Sequence, residues 1–157
     1  EKKGEKPSSQ SYECLIDLRL DAHIPEDYIA ETSQRIDIYK KIAAIRTEED
    51  KLDVTDELLD RFGEPPATAL SLLDVALLRN TLAAYGFEEI NEKPQGLLLY
   101  PHALNMEISG KLIATPSLKG RVMVNASNRP YIIVKPRAGQ KLDAIKTLRE
   151  IAAALAG

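Results

Sequence analysis

The sequence contains three amphipathic helical segments in series, separated by residues that leave room only for short turns. The first segment repeats side chains at spacings of three and four: Ile36, Tyr39, Ile42, Ala43 and Arg46. Thr47 is suited to cap a second helix, which ends at Gly63. Pro65 and Pro66 pre-set the start of a third helix, which ends at Gly86. Three helices with such short connections predict a compact helical layer.

Strand-like segments lie on both sides of the helical series. Residues 12–24 alternate between apolar and polar side chains, which predicts one strand that ends at Pro25. Four more strands are predicted over residues 87–92, 96–100, 121–125 and 131–135, with a short helix capped by Asn105 among them and a closing helix over residues 141–156. This order predicts an α+β fold, with a small mixed or antiparallel sheet of about five strands packed with three consecutive central helices and a C-terminal helix.

The length of 157 residues fits one globular domain. We expect residues 12–157 to form a single regulatory domain, subdivided into 12–87 and 88–157, and the polar residues 1–11 to be a flexible lead-in. No apolar run approaches the roughly 18 residues of a membrane helix, so no membrane partner is expected. The single cysteine, Cys14, excludes an internal disulfide and is predicted to be buried. This cysteine usage fits a reducing cytoplasm.

Asp17, Asp21 and His23 share one face of the first predicted strand, and a small enzyme or a metal site could use them. Same-face residues on a strand lie roughly 6.5–7 Å apart, whereas ligands of one metal lie about 3 Å from each other. We therefore interpret this as a solvated strand face. His102 stands in a predicted loop, and the sequence has no glycine-rich phosphate loop, nucleophile elbow or zinc-protease motif. The prediction is no catalytic residue, no metal and no cofactor.

Charge is unevenly distributed along a chain whose net charge is −3. Residues 26–63 contain eleven acids and six bases, whereas residues 110–157 contain nine bases and two acids. The alternative function is therefore nucleic-acid binding through a basic patch, for which the candidates are Lys119, Arg121, Arg129, Lys135 and Arg137. Tyr131 is the only aromatic residue in this region that is available to stack on a base. A solvated basic face is the simpler interpretation.

The second helix carries a second candidate surface near its end. At 3.6 residues per turn, Glu57, Asp60 and Arg61 are predicted to project outward together. The three apolar residues among them are predicted to face the core: Leu58, Leu59 and Phe62. The simplest interpretation is an exposed helix face with a Glu57–Arg61 ion pair.

Three stretches of this region together resemble a known family. Residues 24–29 read IPEDYI, residues 34–41 read QRIDIYKK, and residues 57–63 read ELLDRFG, followed by prolines. In this order and spacing they resemble the C-terminal domain of bacterial transcription-repair coupling factors, over about residues 16–87. The resemblance implies a parent ATP-dependent DNA translocase that acts on stalled RNA polymerase and recruits nucleotide excision repair, with its motor in other domains.

For this domain the resemblance implies a regulatory role without catalysis. Such a domain packs on the UvrB-like N-terminal module of the same protein and covers the surface that binds UvrA, which is autoinhibition. Glu57, Asp60 and Arg61 match the family's E-L-x-D-R-F-G stretch, so the resemblance implies that they form the interdomain binding site. The expected location is the bacterial cytoplasm.

Overall fold

The computed structural model describes residues 13–157, which divide into two compact units. The helical unit covers residues 20–81, and the sheet unit comprises residues 13–19 and 82–157. The predicted lead-in over residues 1–11 and the first predicted strand residue, Tyr12, lie outside the described residues. The expected subdivision at residues 87 and 88 differs from the observed one, because the last turn of the third helix, from Leu82, belongs to the sheet unit.

The helical unit contains α1 (Thr32–Ala43), α2 (Glu48–Phe62) and most of α3 (Ala67–Ala84). The predicted start and end of α2 are confirmed. Thr47 Oγ1 accepts a hydrogen bond from Asp50 N at 3.0 Å, and the Asp50 carboxylate accepts one from Thr47 N at 3.2 Å. Gly63 ends the helix with φ of 85°, a conformation that favours glycine. Local sequence therefore fixes both ends of the helix that carries the candidate site.

The core of the helical unit draws on all three helices and the segment before α1. Its buried members are Ile24, Ile29, Ile38, Ile42, Ile45, Val54, Leu58, Leu73, Ala76 and Leu77. Tyr28, Phe62 and Leu72 pack against this cluster while remaining partly exposed.

The predicted apolar stripe of α1 was correct at Ile42 and wrong at Ile36 and Tyr39. Ile36 is 50% exposed and Tyr39 is 39% exposed, whereas the buried side chains of α1 are Ile38 and Ile42. The isoleucines of this helix allow two stripes with helical spacing, and contacts with α2 and α3 select the second one. Tyr39 has a different role, because its hydroxyl accepts a hydrogen bond from Ile24 N at 3.0 Å.

By length and composition, α3 is apolar enough to cross a membrane, although its sequence is not an uninterrupted apolar run. In this fold its apolar residues supply the core: Leu73, Ala76 and Leu77 are buried within the helical cluster. Burial of this kind explains the composition of the helix without a bilayer.

The sheet unit contains a five-stranded mixed sheet in the order β1-β2-β3-β5-β4. Its strands are β1 (Leu15–Asp17), β2 (Phe87–Lys93), β3 (Gly96–Pro101), β4 (Val122–Asn125) and β5 (Tyr131–Val134). β1 pairs with β2 in parallel, and every other pairing is antiparallel. The predicted α+β class, the mixed sheet and its five strands are therefore confirmed.

The predicted long first strand was wrong in its extent, since only Leu15–Asp17 pairs with β2. Beyond the end of the ladder, Arg19 N donates to the Glu92 carboxylate at 2.7 Å. Alternate burial nevertheless continues beyond the ladder: Leu18, Leu20 and Ala22 are half-buried and Ile24 is buried. Cys14 is buried, as predicted.

Two helices and a short 3-10 helix complete the sheet unit. α4 (Met106–Ala114) is capped by Asn105, and α5 (Ala144–Ala156) begins three residues later than predicted because Asp143 Oδ1 accepts a hydrogen bond from Lys146 N. The 3-10 helix, Pro116–Leu118, contacts both α4 and α5. The fully buried side chains of this unit come from β2, β3, β5 and the helices: Leu82, Phe87, Ile90, Leu97, Leu99, Leu112, Leu118, Val134, Leu148 and Ile151.

Candidate functional site

The candidate interdomain site lies on the last two turns of α2, where the structure brings Glu57, Asp60 and Arg61 to one side of the helix. The inward side of α2 is formed by residues spaced four apart: Val54 and Leu58 are buried, and Phe62 is half-buried against the same core. The core contacts of these three residues fix the rotation of the helix. The charged residues are therefore presented by a rigid element.

Glu57 lies between two cations that approach the same carboxylate oxygen. Lys41 Nζ donates to Glu57 Oε2 at 2.7 Å, and Arg61 Nη1 donates to the same atom at 2.7 Å. The hydrogen bond from Lys41, followed by that from Arg61, lowers the pKa of the Glu57 carboxyl from its ordinary value. The local Glu57–Arg61 pair expected from sequence is present, and Lys41 of α1 adds a contact between helices.

Asp60 differs from Glu57 in having no such contact. Its side chain is exposed and forms no hydrogen bond or ion pair with any other residue in the range 13–157. Arg61 is partly occupied, since its guanidinium donates to Glu57 and lies 4.9 Å from the centroid of the Phe62 ring. Of the three predicted site residues, Asp60 is therefore the one with its full hydrogen-bonding capacity available.

The predicted inward position of Leu59 was wrong, because this side chain is 54% exposed. Leu58 is fully buried, and a helix rotates by about 100° per residue, so Leu59 lies on a different side of α2 from Leu58. Leu52, which is seven residues before Leu59, is also exposed, at 59%. The outward side of α2 is thus partly apolar.

Tyr28 supports the C-terminal end of α2, which sequence reasoning did not anticipate. Its hydroxyl lies 2.7 Å from Gly63 O and 3.3 Å from Leu58 O, and its ring meets the Phe62 ring edge-on at 6.0 Å. Burial raises the pKa of the Tyr28 hydroxyl, which keeps it a hydrogen-bond donor. Tyr28 is the tyrosine of the IPEDYI stretch, which contributes to the family resemblance. The sequence of that stretch does not indicate what this tyrosine contacts.

The five basic residues proposed for nucleic-acid binding do not form one free cationic surface. Arg121 is buried and pairs with Glu150 at 3.1 Å, and Arg137 pairs with the same carboxylate at 3.0 Å. Arg129 pairs with Glu89 at 2.5 Å, and its guanidinium lies 3.9 Å from the centroid of the Tyr100 ring. Lys119 and Lys135 are exposed.

The acid–base candidates of the first predicted strand fall into different parts of the chain. Asp21 and His23 form a pair with 2.8 Å between Oδ1 and Nδ1, and Asp17 lies on β1. In the part of the chain that the structure describes, no three histidine, cysteine or acidic side chains are placed to hold one metal ion. His102 contacts Glu88, with 3.0 Å between Nδ1 and Oε1.

Comparisons with known proteins agree on one family. A family profile described as the TRCF domain matches residues 18–108, which is more than half of the chain. The chain is 33% identical over 152 residues to a transcription-repair-coupling factor of Staphylococcus aureus (strain USA300). It is 34% identical over 153 residues to the factor of Staphylococcus epidermidis, and each alignment covers 94% of this chain. The chain spans 13% of the length of these relatives.

A solved structure supports the same assignment at the level of the fold. The crystal structure of the C-terminal domain of a transcription-repair coupling factor superposes with a TM-score of 0.79 at 20% sequence identity. The match covers 93% of each chain. This chain therefore belongs to the TRCF domain family, and its fold is that of the C-terminal domain of a transcription-repair coupling factor.

Proposed function

We propose that this domain is a non-catalytic regulator that packs on the UvrB-like N-terminal module of its own protein. In the packed state it masks the surface through which that module binds UvrA. The parent protein would be an ATP-dependent DNA translocase of the bacterial cytoplasm, which engages RNA polymerase and DNA through other domains. Release of this domain then permits recruitment of the excision-repair machinery.

The observation that carries the proposal is the arrangement of Glu57 and Asp60 on α2. Lys41 and Arg61 fix the Glu57 carboxylate, so little side-chain entropy remains to be lost when a partner binds there. Asp60 projects beside it with an unpaired carboxylate. A rigid helix with one oriented carboxylate and one free carboxylate suits a basic partner surface.

A masking contact must be reversible, which limits its strength. Shifting a two-state equilibrium from nearly closed to nearly open requires roughly 5.5 kcal/mol of differential binding. Hydrogen bonds to charged groups contribute about 1.5–3 kcal/mol each. A small number of contacts from the end of α2 is therefore sufficient, and a large permanent interface is not required.

The test is substitution of Asp60 by alanine in the intact protein, followed by measurement of its affinity for UvrA. Because the Asp60 side chain forms no hydrogen bond or ion pair with the described residues 13–157, we expect Asp60→Ala to change the stability of this chain by less than about 0.5 kcal/mol. The same change should unmask the module and tighten UvrA binding. Glu107→Ala, which removes another exposed carboxylate from a helix, is the matched control.

Two outcomes would contradict the proposal. A large loss of stability in Asp60→Ala would mean that this residue is structural, and unchanged UvrA affinity would remove the support for masking.

A DNA titration at two salt concentrations examines the alternative function. Tight binding with a steep salt dependence would favour a nucleic-acid-binding module instead.

A further inference from the structure

Two leucines on the outward side of α2 are more than half exposed. Leu52 is 59% exposed and Leu59 is 54% exposed, and a separation of seven residues places them two turns apart on one side of the helix. The core stripe of Val54, Leu58 and Phe62 lies on another side. Single exposed leucines are ordinary, but these two lie on one line along the helix, about 10 Å apart, and we call this pair the apolar strip.

Three aspartates follow the same strip. Asp53, Asp56 and Asp60 are all exposed, and none of them forms a side-chain hydrogen bond or ion pair with another residue of the range 13–157. Asp56 lies between the two leucines along the helix, while Asp53 and Asp60 each directly follow one leucine. An apolar strip with an unpaired acidic border therefore runs along most of α2.

The neighbouring helix also exposes a leucine. Lys51 Nζ contacts Asp74 Oδ1 at 2.6 Å and joins α2 to α3. Leu70 lies one turn before Asp74 on α3, so it is on the same side of that helix, and it is 39% exposed.

We propose that Leu52 and Leu59 form the apolar centre of the docking surface, with Asp53, Asp56 and Asp60 as its acidic border. The occupant is a partner surface with an apolar recess bordered by lysine or arginine side chains. An acidic partner is excluded by repulsion from three unpaired carboxylates, and a fully apolar partner would leave them desolvated. The inference rests on the proposed function, and identifies the chemistry that the N-terminal module would have to present.

The two components should act differently on binding. Contacts of the leucines exclude water and set the dissociation rate. Their contribution to the affinity of the masking contact should therefore depend little on salt. The aspartates act through charge, so their contribution to the same affinity should weaken as ionic strength rises. Salt dependence therefore distinguishes the apolar centre from the acidic border.

The experiment compares variants of the intact protein by their affinity for UvrA at two salt concentrations. Leu52→Ala/Leu59→Ala should tighten UvrA binding at least tenfold at both concentrations, because the masking contact is lost. Asp53→Asn/Asp56→Asn should tighten it mainly at the lower concentration. Ile113→Ala removes an equally exposed apolar side chain, 53% exposed on α4, and should change the affinity less than twofold.

Deletion of residues 13–157 distinguishes failure of the proposed apolar centre from failure of the masking proposal. If the deletion tightens UvrA binding but the leucine variant does not, the apolar centre is contradicted while masking stands. If the deletion leaves UvrA binding unchanged, masking is contradicted and the apolar centre with it. Leu52→Gln/Leu59→Gln is a second variant, in which the side chains keep a similar length but become polar. For each variant, a melting temperature equal to that of the native protein verifies the fold.

Discussion

Lys41 of α1 and Glu57 of α2 form a 2.7 Å hydrogen bond that joins two helices at the edge of the candidate surface. The same Glu57 oxygen accepts from Arg61 one turn later. Because two cations favour the ionised carboxylate, the pKa of Glu57 is lowered in the folded chain, and that of Lys41 is raised by Glu57. The orientation of the candidate surface is consequently linked to pH.

The lowered pKa of Glu57 predicts a specific pH dependence. The stabilisation by ionised Glu57 is fully present above the pKa of the unfolded chain, about 4.3 for glutamate, and is lost as pH falls through the lower folded value. Glu57→Gln removes this titration. The difference in unfolding free energy between the native chain and Glu57→Gln should be constant from pH 7 to about 5 and should shrink below that. Urea unfolding across this range measures it, and a constant difference down to pH 3 would contradict the geometry.

Leu58 and Leu59 should respond very differently to the same substitution. Leu58 is fully buried, so Leu58→Ala should cost about 2–5 kcal/mol of unfolding free energy. Leu59→Ala should change stability by less than about 0.5 kcal/mol, since its side chain is largely exposed. Urea denaturation of both variants provides the comparison, and equal losses would mean that the rotation of α2 is misassigned.

Arg121 should be a structural residue of the sheet unit. Its guanidinium contacts Glu150, Thr147 Oγ1 and the carbonyl oxygens of Ser117 and Lys135 while the side chain is almost fully buried. Arg121→Met should therefore cost about 3–5 kcal/mol, because it removes the buried partner of Glu150 and leaves the carbonyl oxygens of Ser117 and Lys135 without this donor. Arg137→Met removes an exposed cation from the same Glu150 and should cost less than about 1 kcal/mol. Similar losses in urea unfolding would contradict this assignment.

Gly96 should not tolerate a side chain. A Cβ atom at this position would lie 2.5 Å from Val134 O on the adjacent strand, and the φ angle is 146°. Gly96→Ala should destabilise the chain by at least about 1–3 kcal/mol from the backbone conformation alone. Gly110→Ala is the matched control: open space surrounds its Cβ position within α4, so alanine should stabilise by roughly 0.5–1 kcal/mol. Thermal or urea unfolding of both variants gives the sign of each effect.

The sequence predicted those parts of the fold that depend on local chemistry. Thr47, Gly63 and Asn105 act on the residues next to them, so the ends of α2 and the start of α4 could be located in advance. The α+β class followed from the order of these segments. Prediction was weaker where two apolar stripes compete within one helix, as for Leu58 and Leu59, because only the neighbouring helices decide which stripe is buried.

The candidate site shows the same limit. The outward placement of Glu57, Asp60 and Arg61 followed from helical spacing, and so did the Glu57–Arg61 pair. The contact from Lys41 could not be predicted, since it joins residues sixteen positions apart on different helices. Long-range pairing also explains why the candidate basic residues do not form one free cationic surface: Arg129 pairs with Glu89 across forty positions, and Arg121 pairs with Glu150 across twenty-nine.

Titration of this domain against the isolated UvrB-like N-terminal module of the same protein tests the central proposal most directly. The comparison variant replaces Glu57, Asp60 and Arg61 with alanine and must keep the native melting temperature. We predict that the native domain binds the module and that the variant does not. Equal binding by both would contradict the site. No binding by the native domain, even when the two are tethered at an effective concentration of about 1 mM, would contradict masking itself.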